Sequence, residues 1–183
     1  MALKYSIRFS GAGGQGLIQA ARILAEAAAI FDNKNAAESC SYGPEARGNA
    51  SRADIIISDD AIDYPKIDSI DLLMVLTQEA YDRSVKDLSA GGVVVADRVV
   101  KAGEELSGRK IYQVAFTEIA EKRFQNPGMV NIIALGFFAA INGAIGSKSI
   151  RNAMLARVPK MSEPTYMRAF DMGLEAAREY KSK

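Results

Sequence analysis

Five residues near the start of the chain have the types and spacing of an anion-binding loop. Gly11, Gly13 and Gly16 match the pattern G-x-G-x-x-G, and Gly14 and Gln15 lie inside it. A segment with alternating polar and apolar residues precedes the loop, and a segment with helical periodicity follows it. Glycine lets a ligand approach the backbone, and the free N–H groups at the start of a helix attract phosphate. The loop therefore predicts a phosphate-bearing ligand.

The glycines alone leave several interpretations open. A dinucleotide needs an acidic residue about 20 residues further on. Asp32 and Glu38 bracket that position, but segment 35–40 lacks the apolar run that normally leads into such an acid. A P-loop is excluded because no Lys-Ser or Lys-Thr pair follows the glycines. A phosphate-bearing cofactor of another kind stays open, and so does simple packing of the first helix on the sheet.

A second loop follows about 25 residues later and combines glycine and proline with one aromatic residue and two charges. It can recognise a ligand or a protein partner, although these residues are also typical of an exposed turn with a local ion pair. Its candidate residues are Tyr42, Gly43, Pro44, Glu45, Arg47 and Gly48.

The residues that are missing exclude several kinds of chemistry. The chain has no histidine and one cysteine, Cys40. An iron–sulfur cluster takes about four thiolates and structural zinc several Cys or His ligands, so we expect no metal site in this chain alone. Nucleophilic sites that pair Ser or Cys with His are excluded as well. We therefore expect the electron carriers and most of the usual proton shuttles of any reaction that this protein serves to lie elsewhere.

The composition predicts one domain, residues 1–183, that is soluble and cytoplasmic. With 49% hydrophobic residues it can build a single core. The 23 basic and 22 acidic residues nearly cancel, which argues against nucleic acid or an anionic membrane as a partner. The longest apolar segment, residues 130–145, is interrupted by Asn131 and Asn142 and is shorter than the ~20 residues that span a bilayer.

The periodicity predicts an α/β fold of three layers, a mostly parallel sheet flanked by helices, with a Rossmann-like first βα unit and a helical C-terminal third. We predict a turn at Gly91-Gly92 between a helix and the next parallel strand. The predicted strands are 5–10, 36–41, 53–58, 71–77, 93–97 and 111–115. The predicted helices are 17–30, 78–88, 118–124, 129–142, 148–157 and 163–180.

Five further residues have simpler interpretations. Thr77 and Asp97 end predicted strands, and we interpret them as a helix cap and a strand-ending acid. Cys40 has no charged neighbour in sequence that would lower its pKa, and we expect it to be partly buried. Arg157 and Lys160 are interpreted as parts of a solvated helix end.

The two loops and the segments after them resemble the gamma subunits of 2-oxoacid:ferredoxin oxidoreductases. The residues that carry the resemblance are Gly11-Ala-Gly-Gly-Gln-Gly16, Ser41-Tyr-Gly-Pro-Glu-Ala-Arg-Gly48, Ser51-Arg-Ala-Asp-Ile-Ile-Ile-Ser-Asp59, Asp71-Leu-Leu-Met-Val-Leu-Thr-Gln-Glu-Ala80, Asn131-Ile-Ile-Ala-Leu-Gly136 and Ala156-Arg-Val-Pro-Lys160. Family members often have a second glycine where this chain has Asn49, which tolerates a left-handed backbone better than most residues.

The resemblance implies a division of labour. Thiamine diphosphate, Mg and the iron–sulfur clusters would be held mainly by alpha, beta and delta subunits or their fused equivalents, and the complex would reduce ferredoxin. The gamma chain would contribute no catalytic residue, would be inactive alone, and would help to form the coenzyme A (CoA) site. A homodimer of the isolated chain stays open. The stretch 41–59 is most similar to the 2-oxoglutarate type. Action on pyruvate or a branched-chain 2-oxoacid stays open, and so does a free-standing dinucleotide-binding domain that acts as a sensor or small dehydrogenase.

Overall fold

The computed structural model describes residues 2–42, 50–103 and 106–181. They form one sheet of six strands with helices on both faces. The strands are β1 (Lys4–Ala12), β2 (Asn35–Tyr42), β3 (Ala50–Ser58), β4 (Ile70–Val75), β5 (Leu88–Asp97) and β6 (Ile111–Val114). The helices are α1 (Leu17–Glu26), α2 (Gln78–Ser84), α3 (Phe116–Phe124), α4 (Val130–Ile141), α5 (Ser147–Ala156) and α6 (Glu163–Lys181). The predicted α/β class and the helical C-terminal third are confirmed.

The strand order is β2-β3-β1-β4-β5-β6. Strands β1, β4, β5 and β6 are mutually parallel, whereas β3 is antiparallel to both β1 and β2. Five strands therefore share one direction, as predicted, and the sheet is mixed because of β3 alone. The first βα unit exists as strand, glycine loop and helix, but β2 does not return beside β1, because β3 lies between them.

A buried ion pair helps to hold β3 against β1. Arg8 on β1 lies opposite Asp54 on β3, and its Nε donates to Asp54 Oδ1 over 2.7 Å. Its Nη1 donates to Asp87 Oδ2 over 2.6 Å, just after α2. Burial disfavours the charged guanidinium, but the hydrogen bonds to the two carboxylates outweigh it and raise the pKa of Arg8. Arg8 therefore stays charged inside the sheet.

The β4–α2–β5 unit is parallel, as its strand–helix–strand pattern predicts. The predicted turn at Gly91-Gly92 is wrong, because both glycines lie inside β5. A Cβ on Gly92 would lie 2.7 Å from the carbonyl oxygen of Ile70 on β4. Gly92 is thus required by the close approach of two strands, and the helical segment ends earlier than expected, before Leu88.

The two faces of the sheet carry unequal helical layers. One face packs against α1, α3, α4, α5 and α6 in a large apolar core, and the other packs against α2 in a smaller one. Helix α4 is buried along nearly its whole length and crosses α6 where Gly136 meets Gly173. No helix in the described part of the chain combines the length and the apolarity that a bilayer crossing requires.

Candidate functional site

The glycine loop joins the carboxyl end of β1 to the start of α1, the edge at which parallel α/β sheets bind ligands. Two of its glycines have backbone angles that favour glycine: φ is 89° at Gly14 and 71° at Gly16. Gly16 is the residue before α1 and has no side chain that could cap the helix. The first N–H groups of the helix are therefore left for another acceptor.

The N–H groups of Leu17, Ile18 and Gln19 have no acceptor among the described residues, since the first bond of the helix runs from Ala20 to the Gly16 carbonyl over 3.1 Å. Gly13 and Gly14 are exposed in front of this helix start. Together with the positive end of the helix dipole, these donors can bind an anion without a basic side chain.

Gln15 and Gly11 shape the loop from behind. The Oε1 atom of Gln15 accepts a hydrogen bond from the Ala12 N–H over 2.7 Å, which closes the loop on the end of β1. Gly11 is buried, and a Cβ there would come within 3.0 Å of the Gln15 and Leu17 side chains. Gly11 therefore provides the space into which these side chains pack, while Gly13 and Gly14 face outward.

Asn131, on the first turn of α4, also contacts this loop, although the sequence patterns did not single it out. Its Nδ2 donates to the Gly16 carbonyl over 3.0 Å, and the side chain is only 2% exposed. The sequence showed it only as a polar interruption of an apolar segment within the motif Asn131-Ile-Ile-Ala-Leu-Gly136. That interruption was the available signal.

The second loop begins and ends beside the glycine loop. In the sheet register, Ala12 lies opposite Ala50, and Tyr42 lies opposite Ser51. The two strand ends that flank the second loop are therefore at the same edge as the glycine loop. Tyr42 is the last residue of β2, and the other candidates Gly43, Pro44, Glu45, Arg47 and Gly48 lie outside the described residues.

The two acids that a dinucleotide would require lie away from the glycine loop. Asp32 precedes β2 at the opposite edge, where its carboxylate accepts the N–H of Gly146 over 2.6 Å and the hydroxyl of Ser149. Glu38 lies in the middle of β2, at 3.8 Å from Arg22 of α1. Because β3 separates β2 from β1, neither acid ends a strand adjacent to the loop.

Thr77 and Asp97 have the structural roles that their positions predicted. The Thr77 hydroxyl accepts the N–H of Ala80 over 3.3 Å and caps α2. The Asp97 carboxylate accepts the N–H and the hydroxyl of Thr117, over 2.8 and 2.9 Å, and the N–H of Val99 over 3.1 Å. These contacts use both Asp97 oxygens and hold the start of α3.

Cys40 is exposed rather than partly buried. Its thiol donates to Glu38 Oε1 over 3.0 Å. Desolvation of the sulfur by neighbouring atoms, together with the Glu38 carboxylate, raises the pKa of Cys40 to about 12, although the residue as a whole is exposed. The thiol is therefore protonated at neutral pH and is a poor nucleophile. No group of three acidic or cysteine side chains in the described ranges is arranged to hold a metal ion.

Arg157 is ion-paired rather than merely solvated. Its guanidinium donates twice to the Glu26 carboxylate, from Nε over 2.5 Å and from Nη2. These hydrogen bonds lower the pKa of Glu26 and connect the far end of α1 to the segment between α5 and α6. Lys160 lies in the short turn that follows and is exposed.

Comparisons with known proteins identify the family. Residues 6–176 match the family described as pyruvate ferredoxin/flavodoxin oxidoreductase. The chain is 40% identical to the 2-oxoglutarate synthase subunit KorC of Methanocaldococcus jannaschii, over 97% of this chain and 96% of that protein.

Two solved structures share the fold. The gamma subunit of a keto/oxoacid ferredoxin oxidoreductase from Geobacter sulfurreducens is 40% identical, with a TM-score of 0.86 over 97% of this chain and 98% of that one. The 2-oxoglutarate:ferredoxin oxidoreductase of Magnetococcus marinus, solved with 2-oxoglutarate, CoA and succinyl-CoA, is 20% identical with the same TM-score. The match spans 96% of this chain but 31% of the Magnetococcus chain, so the fold also occurs inside a longer polypeptide. The chain therefore belongs to the pyruvate ferredoxin/flavodoxin oxidoreductase family, as a gamma subunit of a 2-oxoacid:ferredoxin oxidoreductase.

Proposed function

We propose that this gamma subunit works in a complex that oxidatively decarboxylates 2-oxoglutarate, forms succinyl-CoA and passes the electrons to ferredoxin. The observation that supports this substrate is the 40% identity to a 2-oxoglutarate synthase subunit along nearly the whole of both chains. Residues 1–183 form one gamma domain of this complex in the cytoplasm, and the chain alone is inactive.

The redox cofactors belong to the partner subunits in this proposal. Thiamine diphosphate, Mg and the iron–sulfur clusters are held by alpha-, beta- and delta-type subunits. The composition supports this division, because the chain has no histidine and its single thiol, Cys40, is protonated and hydrogen-bonded. A cluster needs about four thiolates, which this chain lacks.

The role of this chain in the proposal is to help bind CoA, which carries a pyrophosphate and a ribose phosphate. The unpaired N–H groups of Leu17, Ile18 and Gln19, behind the exposed Gly13 and Gly14, meet one of these phosphates. The strand ends that flank the second loop, on β2 and β3, lie at the same edge. In this proposal the loop contributes Tyr42, Gly43, Pro44, Glu45, Arg47 and Gly48 to the site or to the neighbouring subunit.

Gly14→Val tests the phosphate contact, and the chain offers a matched control. Gly14 and Gly108 both have positive φ, 89° and 78°, and a Cβ at either would meet no atom within 4 Å. Valine therefore strains the two backbones similarly, but only Gly14 lies in the glycine loop, because Gly108 precedes β6 at the opposite edge.

In the assembled complex, we expect Gly14→Val to raise the KM for CoA by about tenfold or more, equivalent to about 1.4 kcal/mol of lost binding. Gly108→Val should leave this KM near that of the wild type. Equal CoA kinetics in both variants would show that the glycines serve the packing of α1 and not a phosphate.

The substrate and the partners have their own test. Anaerobic affinity purification from the source cells should recover subunits that carry thiamine diphosphate and iron–sulfur clusters, and the complex should have a higher kcat/KM for 2-oxoglutarate than for pyruvate. A preference for pyruvate would refute the proposed substrate. Recovery of a clean homodimer that binds a nicotinamide dinucleotide would favour the alternative of a free-standing dinucleotide-binding domain.

A further inference from the structure

Asn131 is an unusual residue for its surroundings. It lies on the first turn of α4, in the sequence Val130-Asn-Ile-Ile-Ala-Leu-Gly136, and all seven of these residues are buried. Its side chain is 2% exposed. Buried amides normally have all their polar atoms paired, because an unpaired polar atom inside a protein costs free energy.

The amide of Asn131 is only half satisfied. Its Nδ2 donates to the Gly16 carbonyl over 3.0 Å and lies 3.5 Å from Gln19 Oε1. Its Oδ1 is buried and has no hydrogen-bond donor among the described residues. A leucine has nearly the same shape and would leave no unpaired atom. Fold stability alone therefore does not account for an asparagine at this position.

The contact between Asn131 and Gly16 depends on the residue type at both positions. A Cβ on Gly16 would come within 3.0 Å of the Asn131 amide, so the approach requires glycine. The Gly16 carbonyl also accepts the N–H of Ala20, the first bond of α1. One carbonyl thus joins the start of α1 to a side chain of a helix buried in the core.

We infer that Asn131 is a positioning residue for the anion-binding end of α1. By holding the Gly16 carbonyl, it fixes the direction of the unpaired N–H groups of Leu17, Ile18 and Gln19. Asn131 does not touch the ligand in this inference, and it acts through Gly16. The inference rests on the proposed function of the glycine loop, because it assigns a supporting residue to that same phosphate site.

The test is Asn131→Leu in the assembled complex. We expect the KM for CoA to rise by about fivefold or more, while the KM for 2-oxoglutarate stays at the wild-type value. The melting temperature should stay the same or rise, because the substitution removes a buried unpaired oxygen. Hydrogen exchange of the peptide that contains residues 17–19 should become faster. A purely structural role predicts the reverse: a lower melting temperature and unchanged CoA kinetics.

Asn131→Ser is a second variant, whose shorter side chain fits the site but does not reach the Gly16 carbonyl. It should raise the KM for CoA in the same way. Wild-type CoA kinetics in either assembled variant would overturn the inference, and so would the failure of both variants to assemble, which would assign Asn131 to folding. If Gly14→Val raises the KM for CoA and Asn131→Leu does not, the positioning role fails while the phosphate site stands. If neither does, the site itself fails.

Discussion

The glycine loop and the crossing of α4 with α6 both depend on glycine, but for opposite reasons. At Gly14 the space that a side chain would fill is open, and the backbone has a positive φ. At Gly136 and Gly173 that space is filled, because a Cβ on either would come within 3.0 Å of the backbone of the other helix. The first arrangement leaves room for a ligand, and the second brings two helices into backbone contact.

Gly16 combines the two situations. Its φ of 71° favours glycine, as at Gly14. The space that a Cβ would fill is occupied by the Asn131 amide, just as that space is occupied by backbone atoms at the helix crossing. The role of a glycine therefore depends on what occupies the space that a Cβ would fill: solvent or ligand, a polar side chain, or the backbone of another element. The following substitutions separate these three cases by their cost.

Gly173→Ala should have the largest effect on stability. Alanine favours a helix by about 1 kcal/mol over glycine, but its Cβ would overlap the Ile133 carbonyl and force α4 away from α6. We expect a loss of more than about 4 kcal/mol in the free energy of unfolding, measured by urea denaturation.

Gly143→Ala is the control for this measurement, because a Cβ at Gly143 would meet no atom within 4 Å. It should change the stability by less than about 1 kcal/mol. If the two variants were equally stable, the close contact between α4 and α6 would be contradicted.

Gly16→Ala should cost about 2 to 3 kcal/mol, from its positive φ and from the overlap with Asn131. In an Asn131→Ala background the overlap is gone and the backbone strain stays. The double variant should therefore be more stable than the sum of the single effects by about 1 kcal/mol in a double-mutant cycle. Strict additivity would show that Gly16 is needed for its φ alone.

Gly14→Ala should cost about 1 kcal/mol, because only the positive φ opposes it. Gly108→Ala has the same kind of backbone and should cost the same amount. Thermal unfolding of the two variants compares them directly. A much larger loss of stability in Gly14→Ala would mean that other atoms occupy the space next to Gly14. The proposed phosphate would then have no room there.

The smallest effect concerns the C-terminal end of α1. This end is held by the ion pair between Glu26 and Arg157, whereas the N-terminal end is held by the neutral amide of Asn131. Arg157 lowers the pKa of Glu26 below its ordinary value of 4.5. A carboxylate whose pKa is lower in the folded state stabilises the protein above its unfolded pKa, and loses that contribution as the pH falls through its folded pKa. Glu26→Gln should therefore cost about 0.5 kcal/mol at pH 7, and this cost should shrink as the pH falls through the folded pKa of Glu26, which lies below 4.5.

Melting temperatures across this pH range measure the Glu26 effect. Glu121→Gln is the control, because Glu121 is exposed and has no ion pair among the described residues. The change in melting temperature caused by Asn131→Leu should not depend on pH, since neither the asparagine amide nor the leucine side chain titrates.

If the cost of Glu26→Gln did not depend on pH either, the ion pair between Glu26 and Arg157 would not be what stabilises this end of α1.

Local patterns predicted most of the elements. The six strands and six helices of the described residues lie where they were predicted, with differences of up to five residues at their ends. The weakest of these predictions was β2, because segment 36–41 has a poor composition for a strand. The turn at Gly91-Gly92 was wrong because a glycine pair inside a strand has the same local sequence as a turn. Only the close approach of β4 to Gly92 distinguishes the two, and that contact is not local.

The sequence by itself determined the class of the fold, the glycine loop between β1 and α1, and the lack of the histidine and cysteine ligands that structural zinc or an iron–sulfur cluster needs, because composition and short-range periodicity carry this information. Tertiary structure decided which strands are neighbours. The insertion of β3 between β1 and β2 brings the ends of the second loop beside Gly11–Gly16, and the Arg8–Asp54 pair joins residues 46 positions apart. Asn131 reaches Gly16 across 115 positions. Contacts between residues so distant depend on how whole elements pack, which no short segment of the chain encodes.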